Sequence, residues 1–323
     1  METFTIRTLT LGTRPSRLAR WQTDYVIQRL QTAWPGVECH TVTFATTGDK
    51  TLDQPLPEIG GKGVFTEELE NVLRSGEIDL AVHSLKDLPI DDAEGLTIGA
   101  ISAREDARDG LISRDRRTLD TLPYGARVGT SSLRRSAQLL ALRPDLTLLS
   151  LRGNVDTRIH KAMRSEGDYD AIVLAVAGVL RLGLDAHITQ YLPFDVMLPA
   201  PGQGALAIQC RADDKVTHEL LSAIDDPVSR AAVTAERTFL KALGGGCSAP
   251  VAAYAHLPTP IRRAPSAPHQ VARAGGEVQL TGLVASTDGR RVIRVSGEGS
   301  APAALGADLA QEALAQGAGE LLT

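Results

Sequence analysis

Cysteine is scarce in this chain, and the little present is badly placed for pairing. Cys39, Cys210 and Cys247 show no paired spacing, no CxxC and no accompanying histidine cluster, so neither a disulfide framework nor a metal site is predicted. Any cysteine that matters acts singly. Aromatic residues make up only 4% of the chain, and no stacking motif lies near its basic segments. With a pI near 5.8, this argues against a general nucleic-acid binder, whose affinity comes from widespread phosphate neutralisation. Long apolar runs are lacking too. The longest, Ala171 to Leu180 with one glycine, cannot span a bilayer, and the N-terminal METFTIRTLTLGTR alternates instead of forming a signal-peptide core. A cytoplasmic protein without membrane or nucleic-acid partners is expected.

What is present is an ordinary globular composition, 43% hydrophobic and 23% charged, in 323 residues, enough for two or three domains. Strand and helix patterns alternate. Thr5 to Leu11 reads as a strand, Arg17 to Trp34 as a helix stopped by Pro35 and Gly36, and Val37 to Ala45 as a second strand. Phe65 to Arg74 is amphipathic, Asp79 to Val82 is a short buried strand, and Leu96 to Ser102 another strand. Farther on, Val128 leads into a helix over 131–142, Leu146 to Leu151 into one over 155–164, and Ala171 to Val176 into a short one. Such alternation predicts an α/β fold with mostly parallel sheets and ligands beyond the carboxyl ends of the strands. HSLKD, GTSSLRR, RGNVDTR and AVAGVLRLG each begin where a predicted strand ends, so four loops are expected to converge on one cleft.

Those loops carry the chemistry. Between Arg127 and Arg164 stand eight Lys or Arg against two acids, in a chain of formal charge −5. VGTSSLRR (128–135) and LRGNVDTRIHK (151–161) set arginines beside small residues, a pattern suited to binding carboxylate or phosphate; two ordinary basic helix starts remain the alternative. In HSLKDLP (83–89), Lys86 and Asp87 follow a buried strand directly. They read either as charges at a cleft mouth or as an exposed ion pair of little worth. Cys247, after three glycines, is either an exposed thiol able to bond covalently or part of a helix C-cap.

The last hundred residues differ in character. A helix over 229–243, strands over 251–256, 278–285 and 291–295, the later two forming a small antiparallel pairing, and a terminal helix over 304–316 predict a separate small α/β domain. Residues 257–276, with four prolines and three arginines, read as a surface loop insertion. The proline- and glycine-rich 52–63 segment reads as either an active-site lid or an ordinary loop.

GTRPSRLAR (12–20), GGKGVFTEELE (60–70), HSLKDLP, VGTSSLRR, LRGNVDTR, LAVAGVLRLG (174–183), LPAPGQGALAIQC (198–210) and LGGGCSAPVAAYA (243–255) occur in an order and spacing that resemble the porphobilinogen deaminase (hydroxymethylbilane synthase) family. The resemblance implies two periplasmic-binding-protein-like domains flanking a cleft, formed by 1–104 with 200–226 and by 105–199. A small third α/β domain, 227–323, would carry the attachment cysteine. It further implies a monomeric cytoplasmic transferase that condenses four porphobilinogen units head to tail into hydroxymethylbilane with release of ammonia. The implied cofactor is a dipyrromethane, attached to Cys247 through a thioether and held by Lys86, Thr130, Ser132, Arg134 and Arg135. Arg14, Ser16, Arg152, Arg158 and Arg181 are implied to bind substrate, and Asp87 to be catalytic; Lys62 and Lys86 are read as electrostatic and not as Schiff-base lysines. A non-enzymatic binder of small anionic molecules is the rival reading.

Overall fold

The computed structural model describes residues 7–46, 66–91, 93–245, 249–258 and 276–322. Cys247, Lys62, the 52–63 segment and all but the ends of the 257–276 insertion lie outside the described residues.

Among the described residues the strands form three sheets. In the first, β1 (Thr8–Thr13) lies between β2 (Glu38–Thr43) and β3 (Leu80–Ser84), all parallel. β10 (Leu206–Arg211) is inserted between β3 and β4 (Leu96–Ile101), antiparallel to both. Helix α1 (Arg17–Ala33) connects β1 to β2 and buries Ala19, Gln22, Val26 and Leu30, a stripe at helical spacing. It ends at Trp34 ahead of Pro35, as the sequence predicts. Helix α2 (Glu67–Ser75) buries Leu69 and Leu73 and stops at Gly76, whose φ of 80° is left-handed.

The second sheet runs in the order β7 (Thr147–Leu149), β6 (Arg127–Gly129), β8 (Ala171–Ala175), β5 (Asp109–Ser113), β9 (Gln190–Leu192). Helices α3 (Leu133–Leu142), α4 (Val155–Met163) and α5 (Val176–Arg181) follow β6, β7 and β8, so their starts gather at the carboxyl ends of parallel strands. After α6 (Lys215–Ser222) comes α7 (Pro227–Ala242). With α8 (Pro302–Ala315) it covers the antiparallel sheet of β11 (Val251–His256), β12 (Val278–Ala285) and β13 (Val292–Gly299), around a fully buried Phe239.

One expectation is refined and one corrected. Each large sheet has four strands running one way, as expected, and one running against them, because the chain crosses from the first sheet to the second through 102–108 and returns through 193–205. The strand that arrives after each crossing, β5 or β10, runs against its neighbours. The expected pairing of two late strands is one half of a three-stranded sheet, since β11 also joins β12.

The two crossing segments bond to each other. Ser102 N–H donates to Leu206 O at 3.0 Å and Glu105 N–H to Gly204 O at 3.1 Å, while Leu85 N–H, just past β3, donates to Ala205 O. Gly204 has φ +93°, and a Cβ there would lie 2.4 Å from the Glu105 carbonyl oxygen, so only glycine permits this approach. The end of β3 is thereby pressed against the returning segment, beside the start of β5.

Candidate active site

Asp109 opens β5 at the end of the first crossing and is completely buried. Its carboxylate pairs with two successive arginines of the first turn of α3, at 2.8 Å to Arg134 Nη2 and 2.7 Å to Arg135 Nη2. Burial pushes the Asp109 pKa up, but Arg134 and Arg135 outweigh it and hold the carboxyl well below the usual range. For Arg134, burial lowers the pKa and the neighbouring Arg135 adds to the fall, against the raising effect of Asp109. Both guanidiniums use Nη1 on backbone carbonyls, Arg134 on Leu198 O and Arg135 on Val173 O. The Nε atoms of both are buried with no hydrogen-bond partner among the described residues. An orphaned buried donor costs about 1–3 kcal/mol, so two of them on adjacent cations suit a site built to receive an anion.

Lys86 and Asp87 occupy a single 3-10 turn, Leu85–Asp87, at the end of β3. Lys86 Nζ donates to Gln203 Oε1 at 3.2 Å, and Gln203 Nε2 donates to Asp109 Oδ1 at 2.9 Å. Burial brings the Lys86 ammonium down to about 8. Asp87 and Asp109 oppose that fall, and Arg135 and Arg134 reinforce it, so all five charges share one neighbourhood. Asp87 itself is exposed.

The second basic block joins the same group. Arg158, half-buried on α4, donates through Nε to Gly153 O at 2.7 Å. Burial lowers it to about 10, with Arg135 and Arg152 adding to the fall and Asp87 resisting it. Arg152 is likewise lowered by burial. The two blocks are stitched together by Ser131, whose Oγ accepts from Leu151 N–H and donates to Leu151 O, both at 2.9 Å.

Other sequence-predicted residues stand elsewhere or have prior engagements. Arg181 closes α5 beside the crossing, donating to Gly204 O at 2.7 Å with its guanidinium 5.8 Å from the Trp21 ring centroid. Burial lowers it to about 10, against Glu105. Arg14 follows β1 and acts on His83, a buried imidazole brought down to about 4 by desolvation first, with Gln209 opposing and Arg14 assisting. Ser16 caps α1 by accepting from Ala19 N–H at 3.2 Å, and Ser132 caps α3 by accepting from Arg135 N–H at 3.5 Å. Thr130, nearly buried, accepts from Ser132 N–H at 3.2 Å. The structure thus gathers Lys86, Asp87, Arg134, Arg135, Arg152 and Arg158, and puts Arg181 on the crossing.

Asp109 and Gln203 escaped the sequence reading. The only signals were an acid directly before a buried run at 110–113 and an amide between two glycines in PGQG.

Two family models match in sequence order. Residues 9–219 match "Porphobilinogen deaminase, dipyromethane cofactor binding domain", and 230–315 match "Porphobilinogen deaminase, C-terminal domain". The chain is 48% identical over 312 residues to the porphobilinogen deaminase of Brevibacillus brevis, covering 97% of this chain and 96% of that one. It is 50% identical over 314 residues to the porphobilinogen deaminase of Moorella thermoacetica, covering 97% and 95%. Among solved structures it is similar to the methionine binding protein MetQ, at 15% identity and a TM-score of 0.42 over 67% of this chain and 89% of that one. No helix among the described residues is long and apolar enough to cross a membrane. A basic cradle beside an exposed carboxylate, two family models in order and near-half identity over almost the whole length all agree: the chain belongs to the porphobilinogen deaminase family.

Proposed function

We propose that the chain condenses four porphobilinogen units head to tail on a dipyrromethane carried on Cys247 through a thioether, releasing one ammonia per addition, and that one water then cuts the four added units away as hydroxymethylbilane. The observation that carries this reading is the pair of buried guanidiniums, Arg134 and Arg135, whose Nε–H donors have no partner among the described residues and lie beside Lys86 and Asp87. When bound, the dipyrromethane supplies the free pyrrole carbon to which the next unit is joined. Its acetate and propionate arms fit Arg134, Arg135 and Lys86, with Thr130, Ser132 and the backbone N–H groups at the start of α3 completing the anion site.

Arg152 and Arg158 are close enough to this group to take carboxylates of the incoming porphobilinogen. Arg14, Ser16 and Arg181 receive the remainder from the β1 side and from the crossing. Asp87 is the catalytic residue. Loss of ammonia from the aminomethyl arm leaves an azafulvenium cation, and a fixed carboxylate at the pyrrole N–H stabilises that charge and shuttles protons at the leaving amine and the coupled carbon. Lys86 stays an electrostatic partner, since its ammonium, although lowered to about 8, is still mostly protonated at neutral pH.

The domains follow the crossings. Residues 1–104 with 200–226 form the first, 105–199 the second and 227–323 the third, a division supported by β10 lying in the sheet of β1 to β4. The enzyme works as a cytoplasmic monomer on porphobilinogen, without nucleic acid or membrane; light scattering of the purified protein tests its oligomeric state. The comparisons lend nothing to a non-enzymatic anion binder. Incubation with porphobilinogen, followed by acid oxidation and detection of uroporphyrin, tests the activity: product from the wild type and none from Cys247→Ser is expected, and no product from the wild type overturns it.

A further inference from the structure

The carboxylate of Asp109 does more than neutralise charge. Arginine can meet a carboxylate end-on through its two Nη atoms or side-on through Nε and Nη2. In both Arg134 and Arg135, Nη2 is taken by Asp109 and Nη1 by a carbonyl, which leaves Nε as the one guanidinium nitrogen of each with no partner among the described residues. The same carboxylate also orients an amide. Gln203 Nε2 donates to Asp109 Oδ1 at 2.9 Å and to Ala107 O at 2.8 Å, so its Oε1 is the end that faces Lys86. A carboxylate can only accept, so Asp109 fixes which end of Gln203 it meets.

We propose that Asp109 is a positioning residue for the dipyrromethane carboxylates: it engages the Nη ends of Arg134 and Arg135 so that their Nε–H groups remain for the ligand, and through Gln203 it holds Lys86 in the same frame. This rests on the reading of the site as the dipyrromethane cradle. The arrangement spans both crossings, since Asp109 ends one and Gln203 lies in the other. It therefore fixes the cofactor cations relative to both large sheets. The groups acting on Lys86 are Asp87 from its own turn, Arg134 and Arg135 from α3 and Asp109 from β5, with Gln203 accepting its hydrogen bond.

The test is cofactor loading. Apoprotein of the wild type and of Asp109→Asn, matched for folding by circular dichroism, is incubated with porphobilinogen over neutral to alkaline pH. The fraction carrying the adduct is read by intact mass. Asp109→Asn is expected to load roughly tenfold or more slowly, as suits a broken buried charge pair. Its alkaline limb moves to lower pH, because Lys86 loses an anion that favours its protonated form. A merely structural role leaves that limb in place. Loading at the wild-type rate with an unshifted limb overturns the proposal. Should Asp109→Asn not accumulate as folded protein, Gln203→Met decides: a displaced limb supports the relay to Lys86, and a wild-type limb overturns it. Wild-type apoprotein that takes up no adduct overturns the cradle reading itself, and this proposal with it.

Discussion

Glu236, wholly buried on α7, grips Arg104 with both carboxylate oxygens, at 2.6 Å and 3.1 Å. The same oxygens accept from Gly202 N–H and Ala255 N–H, each at 2.7 Å. One carboxylate thus joins the outgoing crossing, the returning crossing, α7 and β11. Arg104 adds a hydrogen bond to Gln203 O at 2.9 Å, and its guanidinium carbon lies 5.1 Å from the Tyr254 ring centroid. Losing one partner leaves the other charge buried and unpaired. Glu236→Gln and Arg104→Met are each expected to destabilise the fold by about 3–5 kcal/mol. Chemical denaturation measures this, and an unchanged midpoint contradicts it.

Removing the Asp87 charge strikes chemistry and not packing, because the side chain is exposed on a one-turn element. Asp87→Asn is expected to melt near the wild type while turnover falls by roughly 10²-fold or more, the scale of losing a fixed electrostatic stabiliser. Near-normal turnover in the folded variant dismisses the assignment.

The pH dependence separates binding from folding. Lys86 is lowered in the folded apoprotein to about 8, mainly by burial, so its grip on a carboxylate weakens as pH rises through about 8. The stability sign is opposite. A lysine harder to protonate when folded costs stability below about 8, and that cost shrinks as pH climbs to the ordinary lysine range. Cofactor loading of the apoprotein should therefore fall through a window in which this group makes the fold no weaker. Lys86→Arg, which stays charged, should flatten that limb. Parallel loss of loading and melting temperature in the wild type contradicts this.

Gly204 tests the crossing. Gly204→Ala puts a Cβ against the Glu105 carbonyl at a positive φ, and a cost of about 1–3 kcal/mol is expected. Thermal melting checks it; a wild-type melting temperature means that the crossing segments are farther apart than described.

Local pattern carried much of the fold. Helix α1 was legible from Val26 and Leu30 at helical spacing and from Pro35, and it ends within one residue of expectation. The first strand ends at Thr13 and not at Leu11 as expected, because alternation alone does not reveal that Thr13 still pairs with Thr43. The basic blocks gave the arginines, but not their company. Asp109 and Gln203 sit 94 residues apart in sequence, and each is an unremarkable polar residue until the crossings bring them into contact. Ser16 and Ser132 are assigned to ligands by family resemblance alone; what their local sequence shows is a second role, each standing before a helix and capping it.

The most direct measurement is a peptide map by mass spectrometry of enzyme purified in an active state from cells that make porphobilinogen. The account predicts that the peptide containing Cys247 carries the added mass of two linked pyrrole rings. An active preparation in which every Cys247 is bare contradicts it.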